Sequence, residues 1–488
     1  ETLVPANLSG PLKPQPGVNA SGGIICNLVS WADMSPTCTP KVGEQIINCD
    51  GKPENFVGGL PGAFARAILE SAPISFEGIG APVSRYQPFT FSWTSNARIS
   101  PNVNTSCGSF TLRAHMYPFI PNGTTQALPL STCYDSAPDF TESPSALVYA
   151  GGLPVTFNNN ALDTDLDSLS YDFAYPMENS YDEPCSFNPG FSVNQPLQGL
   201  VGQQPNPSTG EITFVPRSIG SYISCIKVTS WKCGQVVSEI FRDFNFNILL
   251  PTVAQASNLN PYIAKPFNNG TSTAVSIIAG EKIRIPIVVR DSATLLSNIN
   301  NNPNDDTLSN QEIKVVVNGQ GLGAGCPFPP CADFSGPPPA IITNAPNVPV
   351  YEMGKGYLLN KTTPYTYDQD TLWIEWQTSC ENLKKLDCNG LVSSVYNFVV
   401  TAQDNFCSVP GKTVSTFTVN INPPDFVKSP PIRCITYDEL SRNVSFNWAF
   451  PLGDPNTFVE YQIYRDNNGN GVYTLLYSSP NINLNNWV

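Results

Sequence analysis

Three aspartates stand at every second position of one short stretch and could together hold a metal ion. Asp163, Asp165 and Asp167 occur in NALDTDLDSLSYDF, just ahead of a run that alternates apolar and polar residues. Carboxylates are hard oxygen ligands, and calcium takes about six to eight such oxygens. The trio is therefore a candidate calcium site, with calcium the one cofactor that the sequence suggests.

The same stretch also permits a purely structural interpretation. Ser168 and Ala174 stand where an EF-hand needs glycine and glutamate, so an EF-hand is excluded. A calcium site would need acids from a neighbouring loop, such as Asp182 or Glu183. Alternatively, the aspartates accept backbone N–H groups in Asx-turns and only cap the strand that follows. Both interpretations stay open.

Catalytic motifs are missing from the sequence. His115, in LRAHMYPF, is the single histidine, so a two-histidine zinc protease is excluded. No placed serine or cysteine nucleophile motif accompanies His115, so we expect a packed or surface strand residue rather than a catalytic base. The glycine-rich GQGLGAGC (319–326) imitates a phosphate loop, but it leads into CPFPPC rather than into a helix whose N-terminus could hold an anion. We expect no enzyme, with a non-catalytic part of a secreted hydrolase as the alternative.

Cysteine usage indicates an exported protein. Fourteen cysteines are spread over the chain, and none forms a tight CxxC pair that would favour zinc. We predict disulfides between Cys326 and Cys331 and between Cys380 and Cys407. Cys225 and Cys233 share one hairpin but face each other poorly, so each is expected to pair elsewhere or stay buried.

Composition excludes two classes of partner. The 488 residues carry a net charge of −14, which repels nucleic acid and anionic lipid surfaces. No apolar run approaches the roughly 20 residues that a membrane helix needs, so we expect no insertion in a membrane. The N-terminal ETLVPANLSG has no signal-peptide pattern and reads as already processed.

Alternating apolar residues predict β-strands throughout. GSYISCIKVTS (220–230) and FRDFNFNIL (241–249) form one predicted antiparallel hairpin, while AFARAILESA (63–72) supports only an edge helix or a strand. Short strands between turn signals favour stacked β-sandwiches. A partial repeat divides the chain: 1–134 an N-terminal Ig-like domain, 135–251 and 252–425 two similar sandwiches, and 426–488 a different module.

The last module resembles a fibronectin type III sandwich. VSFNWAFP (444–451) and FVEYQIYR (458–465) place a tryptophan on one strand and a Tyr-x-Ile-Tyr alternation on the next, as such domains do. Since a full sandwich needs about seven strands, the pattern predicts a partial domain that continues past Val488.

Longer stretches resemble one family. FSWTSNAR, SAPDFTESP, NALDTDLDSLSYDF, NPSTGEITFVPRSIGSYI, VTAQDNFC and IYRDNNGNG follow the order seen in gliding-motility-associated, type IX secreted surface proteins of Bacteroidota, over roughly residues 30 to 488. The resemblance implies an all-β fold of tandem Ig-like or cadherin-like β-sandwiches followed by a truncated fibronectin type III sandwich. It also implies export across the outer membrane and a role as adhesin, motility component or filament subunit.

The resemblance also implies O-glycosylation. Asp-Ser/Thr-apolar triplets, which that family modifies, place candidate sugars on Ser136, Ser168, Ser292, Thr307 and Thr371. If the source were eukaryotic, seven N-x-S/T sequons would matter instead, at Asn7, Asn19, Asn104, Asn122, Asn269, Asn360 and Asn443.

Two kinds of partner follow from these expectations. A structural surface protein would contact other surface or filament subunits, and an incomplete terminal sandwich with unpaired edges could support a homopolymer. A glycan-binding module would instead stack sugars on exposed aromatics, for which Trp93, Trp231 and Trp373 are the candidates.

Overall fold

The structure is a computed structural model, and all of its described regular elements are β-strands apart from one 3₁₀ turn. No helix in the described part of the chain is long and apolar enough to span a membrane. The described residues are 2–6, 23–33, 65–74, 88–95, 98, 101–121, 124–128, 135–140, 145–150, 154–199, 205–250, 260–290, 313–323, 326–335, 341–343, 355–359, 372–386, 390–404, 411–424, 429–453, 455, 458–467, 469 and 471–488.

The N-terminal strands form one end of the largest sheet. They are β1 Thr2–Ala6, β2 Ile24–Asp33, β3 Ala65–Ser71, β4 Phe89–Ser95 and β5 Phe110–Met116. Their order in the sheet is β5-β4-β1-β2-β3, so β3 lies at its edge. Within the stretch 63–72, for which an edge helix or a strand was predicted, residues Ala65–Ser71 form a strand.

The described strands between Asp139 and Leu249 form a sandwich around the predicted hairpin. The strands are β6 Asp139–Phe140, β7 Ser145–Tyr149, β8 Val155–Asn158, β9 Ala161–Leu162, β10 Ser168–Ala174, β11 Glu211–Phe214, β12 Gly220–Lys232 and β13 Gln235–Leu249. One layer has the order β7-β13-β12-β10, and the other is the pair β8 and β11. Because side chains alternate across a strand, Tyr222, Ile226 and Val228 of β12 all point into the core and are buried.

Aromatic rings fill this core. Phe244 and Phe246 of β13 are buried, and the Phe157 ring of β8 packs against both, with ring centroids 4.1 Å and 5.7 Å apart. Gly210, in the turn before β11, has a φ of +73°, and a Cβ there would lie 2.7 Å from the Tyr171 ring. The turn NPSTGE therefore needs glycine for its backbone conformation and for space.

The long strand β13 joins the N-terminal strands to this sandwich. Its residues Ser238–Ile240 pair with β5, while Asn245–Leu249 pair with β7. The predicted boundary between residues 134 and 135 therefore does not separate two sheets, because strands from both sides share one sheet. The disulfide between Cys107 and Cys185 crosses the same boundary.

A buried ion pair reinforces that connection. The Arg98 guanidinium lies 2.7 Å from the Asp243 carboxylate of β13, and it also donates hydrogen bonds to the carbonyls of Ser109 and Met177. Burial raises the pKa of Asp243, and the adjacent Arg98 lowers it. The charge of Asp243 is thus tolerated because a cation from the N-terminal segment accompanies it.

The described strands between Tyr262 and Asn422 repeat the same strand order. The strands are β14 Tyr262–Ile263, β15 Ala274–Ile278, β16 Lys282–Ile287, β17 Val289–Arg290, β18 Ile313–Gly319, β19 Asp333–Ser335, β20 Ile341–Thr343, β21 Lys355–Leu359, β22 Leu372–Gln377, β23 Lys384–Leu386, β24 Gly390–Val392, β25 Ser394–Asp404 and β26 Lys412–Asn422, with a 3₁₀ helix at Cys380–Asn382. The sheets are β15-β26-β25-β18-β21-β20 and β16-β22-β19.

Both segments have the topology of an immunoglobulin-like sandwich. In each, an edge strand (β7 or β15) runs parallel to the last strand (β13 or β26), which pairs with the strand before it. The sheets β16-β22-β19 and β18-β25-β26 correspond to strands B-E-D and C-F-G of that fold. The core of residues 252–425 centres on Trp376, whose ring packs edge-on against Tyr396 and Phe398.

One of the two predicted disulfides is present. Cys326 and Cys331 are bonded, and Asn382 and Trp376 both donate hydrogen bonds to the carbonyl of Pro330 in the CPFPPC loop. The glycine-rich stretch before it thus leads into a disulfide-closed loop, with no helix in the described residues between Gly319 and Cys331. Cys225 remains a buried thiol and Cys233 is disulfide-bonded, so the two do not pair with each other, as predicted.

The predicted pair of Cys380 with Cys407 is wrong. Cys380 is a free, exposed thiol, and Cys407 lies outside the described residues. The prediction placed WQTSC and DNFC in one sheet region, whereas β22 and β25 belong to opposite sheets. Trp376 contacts Tyr396 near the start of β25, and Asp404 at the end of β25 is eight residues further, roughly 26 Å along a strand.

The C-terminal residues form two small sheets. The strands are β27 Ile432–Asp438, β28 Asn443–Trp448, β29 Tyr461–Asp466, β30 Tyr473–Ser479 and β31 Asn486–Trp487. One sheet is β27-β28-β31 and the other is the hairpin β29-β30. Trp448 of the first sheet packs on Tyr461 of the second, with ring centroids 5.2 Å apart, so the predicted tryptophan and tyrosine do meet.

Removing the buried cation at the N-terminal connection is expected to be costly. Arg98→Met should lower the free energy of unfolding by about 3–5 kcal/mol, because it leaves Asp243 buried without its partner. Urea denaturation measures the loss. The matched control is Arg284→Met, which removes the exposed Arg284–Glu375 pair and should cost less than about 1 kcal/mol. Equal losses in the two variants would contradict the account.

Candidate functional site

The acidic loop lies between β9 and β10 and is organised by Asp163. This side chain is fully buried. Its Oδ1 accepts the backbone N–H groups of Asp165 (2.9 Å) and Asp167 (3.1 Å), and its Oδ2 accepts the Ser230 hydroxyl (3.0 Å). This is the Asx-turn that the structural interpretation predicted. Asp163 therefore shapes the loop from inside.

The environment of Asp163 disfavours its charged form. Burial raises the pKa of Asp163 to about 7, and the nearby Asp135 carboxylate adds to the effect, while the hydrogen bond from Ser230 opposes it. A neutral or weakly charged group is a poor cation ligand. Of the predicted trio, Asp163 is thus the member least suited to metal binding.

Asp167 is matched by a lysine. Its Oδ2 lies 3.4 Å from the Lys232 ammonium, and both side chains are buried. Lys232 ends β12, so the hairpin that forms the core also delivers a cation to the loop. A protein ammonium therefore already neutralises part of the carboxylate charge here.

Asp165 connects the loop to the start of the same sandwich. Its Oδ2 accepts the backbone N–H of Ser136 at 2.6 Å, which holds Asp135 beside the loop. Ligand oxygens of Asp135, Asp165 and Asp167 all lie within 4.8 Å of one another. The carboxylates that could share a cation are these three, with Asp135 in place of Asp163.

The sequence analysis did not include Asp135 among the candidate ligands. Asp135 is an acidic residue close to a short strand that pairs beside the loop. Asp135 directly precedes SAPDFTESP, whose Asp139–Phe140 forms β6, and β6 pairs with β9 directly before the acidic loop. That pairing brings a residue 30 positions upstream to the site. The suggested acids Asp182 and Glu183 do not join the described group: they accept hydrogen bonds from Ser180 and Asn179 in their own turn.

The three carboxylates supply the oxygen ligands that a hard cation such as calcium prefers. Three side chains supply at most six oxygens, so calcium would also need water or backbone carbonyls. The Lys232 ammonium beside Asp167 opposes a second cation. The arrangement can bind calcium only against that repulsion, and it can equally serve as a charge-balanced loop.

Leu166, in the middle of the acidic loop, reaches the next sandwich. Its φ is +60°, and its buried side chain belongs to the hydrophobic cluster that otherwise contains residues 263–421. Close by in the fold, Asn158 of β8 donates to the Thr416 hydroxyl of β26 (2.7 Å). The loop therefore lies where two sandwiches contact each other.

Glu211 contributes to the same contact. It pairs in register with Asn158 across β8 and β11, and the Thr416 N–H donates to its carboxylate. Burial raises the pKa of Glu211, and this hydrogen bond opposes the shift. Thr416 is thus hydrogen-bonded to both Asn158 and Glu211, which lie opposite each other on neighbouring strands of the preceding sandwich.

The remaining candidate residues have structural partners or lie at the surface. The Nδ1 of His115 is 2.9 Å from the Thr90 hydroxyl, and its ring packs edge-on against Phe241. Burial lowers the pKa of His115. These contacts hold the histidine within the sheet.

The three candidate tryptophans differ in their availability to a sugar. Trp93 packs edge-on against Phe110, and the Arg284 guanidinium lies 3.7 Å from the centre of the Trp373 ring. Trp231 is 38% exposed, and its indole N–H donates to Ser170. Trp231 presents the most accessible ring of the three.

The glycosylation candidates divide by exposure. Ser136 and Ser168 are exposed, whereas Ser292, Thr307 and Thr371 lie outside the described residues. Among the sequons, Asn104 is fully buried, and its side-chain amide donates to Pro196 and Ile223. Asn104 therefore cannot carry a sugar in the folded protein.

Comparisons with known proteins give little further information. No protein-family model matches the chain, and no curated protein matches it. Similar solved structures include a chimeric titin Z1Z2 (10% identity, 60% of this chain and 98% of that chain, TM-score 0.15) and the Ig1-2 module of the Drosophila receptor tyrosine phosphatase DLAR (11%, 59% and 99%, 0.19). Mouse cadherin-23 EC22-24 is also similar (10%, 73% and 78%, 0.15). With TM-scores this low, the likenesses carry no argument, and the fold assignment rests on the strand order.

The buried Asp163 predicts a pH dependence of stability. Its pKa is about 7 in the folded state and about 3.9 when unfolded, so the folded protein binds the extra proton between these values. Stability from this group is therefore present below pH 4 and is lost as pH rises towards 7, at about 1.4 kcal/mol per pH unit. Asp163→Asn should remove that slope.

The measurement is urea denaturation at several pH values in the presence of a chelator, so that no metal ion competes. Asp139→Asn is the control, because Asp139 is an exposed acid of β6 in the same sandwich. A wild-type slope that Asp163→Asn leaves unchanged would show that another group causes it.

Proposed function

We propose that this chain is an extracellular surface protein that acts without catalysis, as a stiff series of β-sandwiches that presents contact surfaces for adhesion or assembly. The observation that carries the proposal is the direct contact between successive sandwiches through Asn158, Thr416 and Leu166. Disulfides support an oxidising, extracellular setting. The sequence resemblance to gliding-motility-associated proteins of Bacteroidota supports export across the outer membrane.

Stiffness follows from the chemistry of the junction. A flexible linker would leave both sandwiches free to reorient, whereas a buried hydrogen bond and a buried leucine fix one orientation. Reach and orientation are what a surface spacer must preserve. These contacts therefore fit a surface protein that holds its sandwiches in one orientation better than they fit a series of freely jointed domains.

Location at the cell surface is tested by protease shaving. Intact cells that produce the protein are treated with a protease that does not enter them, and the chain is followed by immunoblotting. The chain should be cleaved while a periplasmic and a cytoplasmic marker remain intact. Protection of the chain until the cells are lysed would contradict the proposal.

Junction stiffness is tested by one substitution. Asn158→Ala removes the hydrogen bond to Thr416, and the distance distribution between spin labels at Arg217 and Lys282 should broaden in pulsed electron paramagnetic resonance. The labelled proteins carry serine at Cys380 and Cys434, which are exposed free thiols.

The matched control lies two residues away on the same strand. Thr156→Val removes a hydrogen bond to Thr213 within one sandwich and should leave the distribution unchanged. Equal broadening in both variants would assign the effect to β8 itself, and no broadening in either would contradict a junction held by Asn158.

Calcium is the proposed ligand of Asp135, Asp165 and Asp167, where it would stiffen the loop next to the junction. Asp165→Asn should weaken binding, and Lys232→Met should strengthen it, since Asp167 then loses its competing ammonium. Isothermal titration with calcium measures both changes. If calcium releases no heat and a chelator leaves the melting temperature unchanged, the loop is only a turn.

A further inference from the structure

A buried lysine and a buried aspartate lie opposite each other where β10 begins and β12 ends. Ser168, the first residue of β10, pairs with Trp231 of β12. Asp167 and Lys232 occupy the next position along these two strands. Residues that lie opposite each other on antiparallel strands have neighbouring side chains. The strand register therefore brings this lysine and this aspartate together.

The two side chains are close together and shielded from water. The Lys232 Nζ lies 3.4 Å from the Asp167 Oδ2, and the side chains are 8% and 0% exposed. A buried ion pair is costly, because both charges lose their hydration. Such a pair can lower that cost by moving one proton, which leaves a neutral amine beside a neutral carboxyl group. A neutral, desolvated lysine amine is a nucleophile.

Hydrogen bonds hold the two groups in this arrangement. The Asp163 Oδ1 accepts the backbone N–H of Asp167 at 3.1 Å, and its Oδ2 accepts the hydroxyl of Ser230, which precedes Lys232 on β12. Asp163 therefore ties the loop that carries the aspartate to the strand end that carries the lysine. Groups that are held at roughly 3–3.5 Å can react as if their concentration were about 10⁵–10⁸ M. The fold thus supplies the proximity that a condensation needs.

We propose that Lys232 and Asp167 condense to form an isopeptide bond, an amide between Nζ of the lysine and Cγ of the aspartate. One proton passes from Nζ to a carboxylate oxygen, and the nitrogen lone pair then attacks Cγ. That oxygen leaves as water with a second proton from the nitrogen. A C–N bond replaces a C–O bond, so the step needs no oxidant, reductant or external acyl donor. The modification goes beyond the proposed surface role and does not depend on it.

A second lysine pair on β12 provides an internal comparison. The Lys227 Nζ lies 3.4 Å from the Glu239 Oε1, but these side chains are 29% and 14% exposed. The distance is the same as in the buried pair, whereas the contact with water differs. Partly hydrated charges keep their ionised forms more easily than buried ones. Lys227 and Glu239 should therefore remain an ion pair.

The proposed bond would close a covalent loop across the sandwich. Asp167 and Lys232 are 65 residues apart in the chain, and a cross-link over such a span restricts the unfolded chain. An amide, unlike a disulfide, also survives reducing agents. The bond would remove the ammonium that opposes calcium at Asp167 and would leave one oxygen of that side chain for a cation. The calcium titration therefore tests a separate claim.

Peptide mass spectrometry on the purified, folded chain tests the bond directly. After reduction, alkylation and proteolysis, the peptides that contain Asp167 and Lys232 should appear as one branched species, lighter than their sum by one water molecule. Fragmentation should place the link on these two side chains, and no branched species should join Lys227 to Glu239. Separate, unmodified peptides for Asp167 and Lys232 would overturn the proposal. A second link at Lys227 and Glu239 would contradict the role given to burial.

The matched variant is Lys232→Arg. Arginine keeps a cation opposite Asp167, but its guanidinium stays protonated and does not condense. The variant should migrate differently from wild type in reducing, denaturing electrophoresis, because it lacks the covalent loop, and it should unfold at a lower urea concentration. Lys227→Arg changes the exposed pair in the same way and should match wild type in both measurements.

Circular dichroism shows whether each variant folds. If Lys232→Arg folds and both migrates and unfolds like wild type, the bond is absent and the proposal is wrong. If Lys232→Arg does not fold, the branched peptide of the wild-type chain still decides the question. Neither result affects the protease-shaving outcome.

Discussion

The register of β13 is the constraint on which most of the structure depends. Its C-terminal half buries Phe244, Phe246 and Ile248 in one core, while its N-terminal half pairs with β5 and so holds the N-terminal strands. Because side chains alternate with period two, a slip of one residue would turn those aromatics out of the core and break the pairing with β5 at the same time. Asp243 lies between the two halves and meets Arg98, so the charge pairing depends on the same register. Strand β13 thus contributes to the sandwich core, pairs with the N-terminal strands and supplies the acid of the buried ion pair.

The acidic loop shows how local chemistry serves that architecture. Asp163 uses its carboxylate to hold the loop, Asp165 holds the first residues of the sandwich, and Asp167 meets Lys232 from the end of β12. With this geometry Leu166 reaches the cluster of the following sandwich. The loop contacts the following sandwich through Leu166 without any cation, and a bound cation would stiffen that existing contact. This is consistent with a protein whose function depends on holding its surfaces in fixed directions.

Local patterns were readable in the sequence, whereas partnerships between distant residues were not. Alternation and turn residues correctly predicted the β12–β13 hairpin and the strand pair that brings Trp448 to Tyr461, because burial on one face leaves a period of two. The same patterns do not show which strands become neighbours. Asp135 reaches the acidic loop only through the pairing of β6 with β9, and the N-terminal strands join the next sandwich only through β5 and β13. The Cys380 prediction failed for this reason, since proximity in a disulfide depends on which sheet each strand enters.

Native-state hydrogen exchange on β5 and β13 tests the central claim, that residues on both sides of position 134 form one cooperative sheet. If they do, the amide protons that link β5 to β13 exchange with the same free energy as those that link β13 to β12, because one opening event exposes both. Equal values that fall together in Arg98→Met are the expected result. Exchange from β4 and β5 at a much lower free energy, with β12 and β13 still protected, would show two independent units and contradict it.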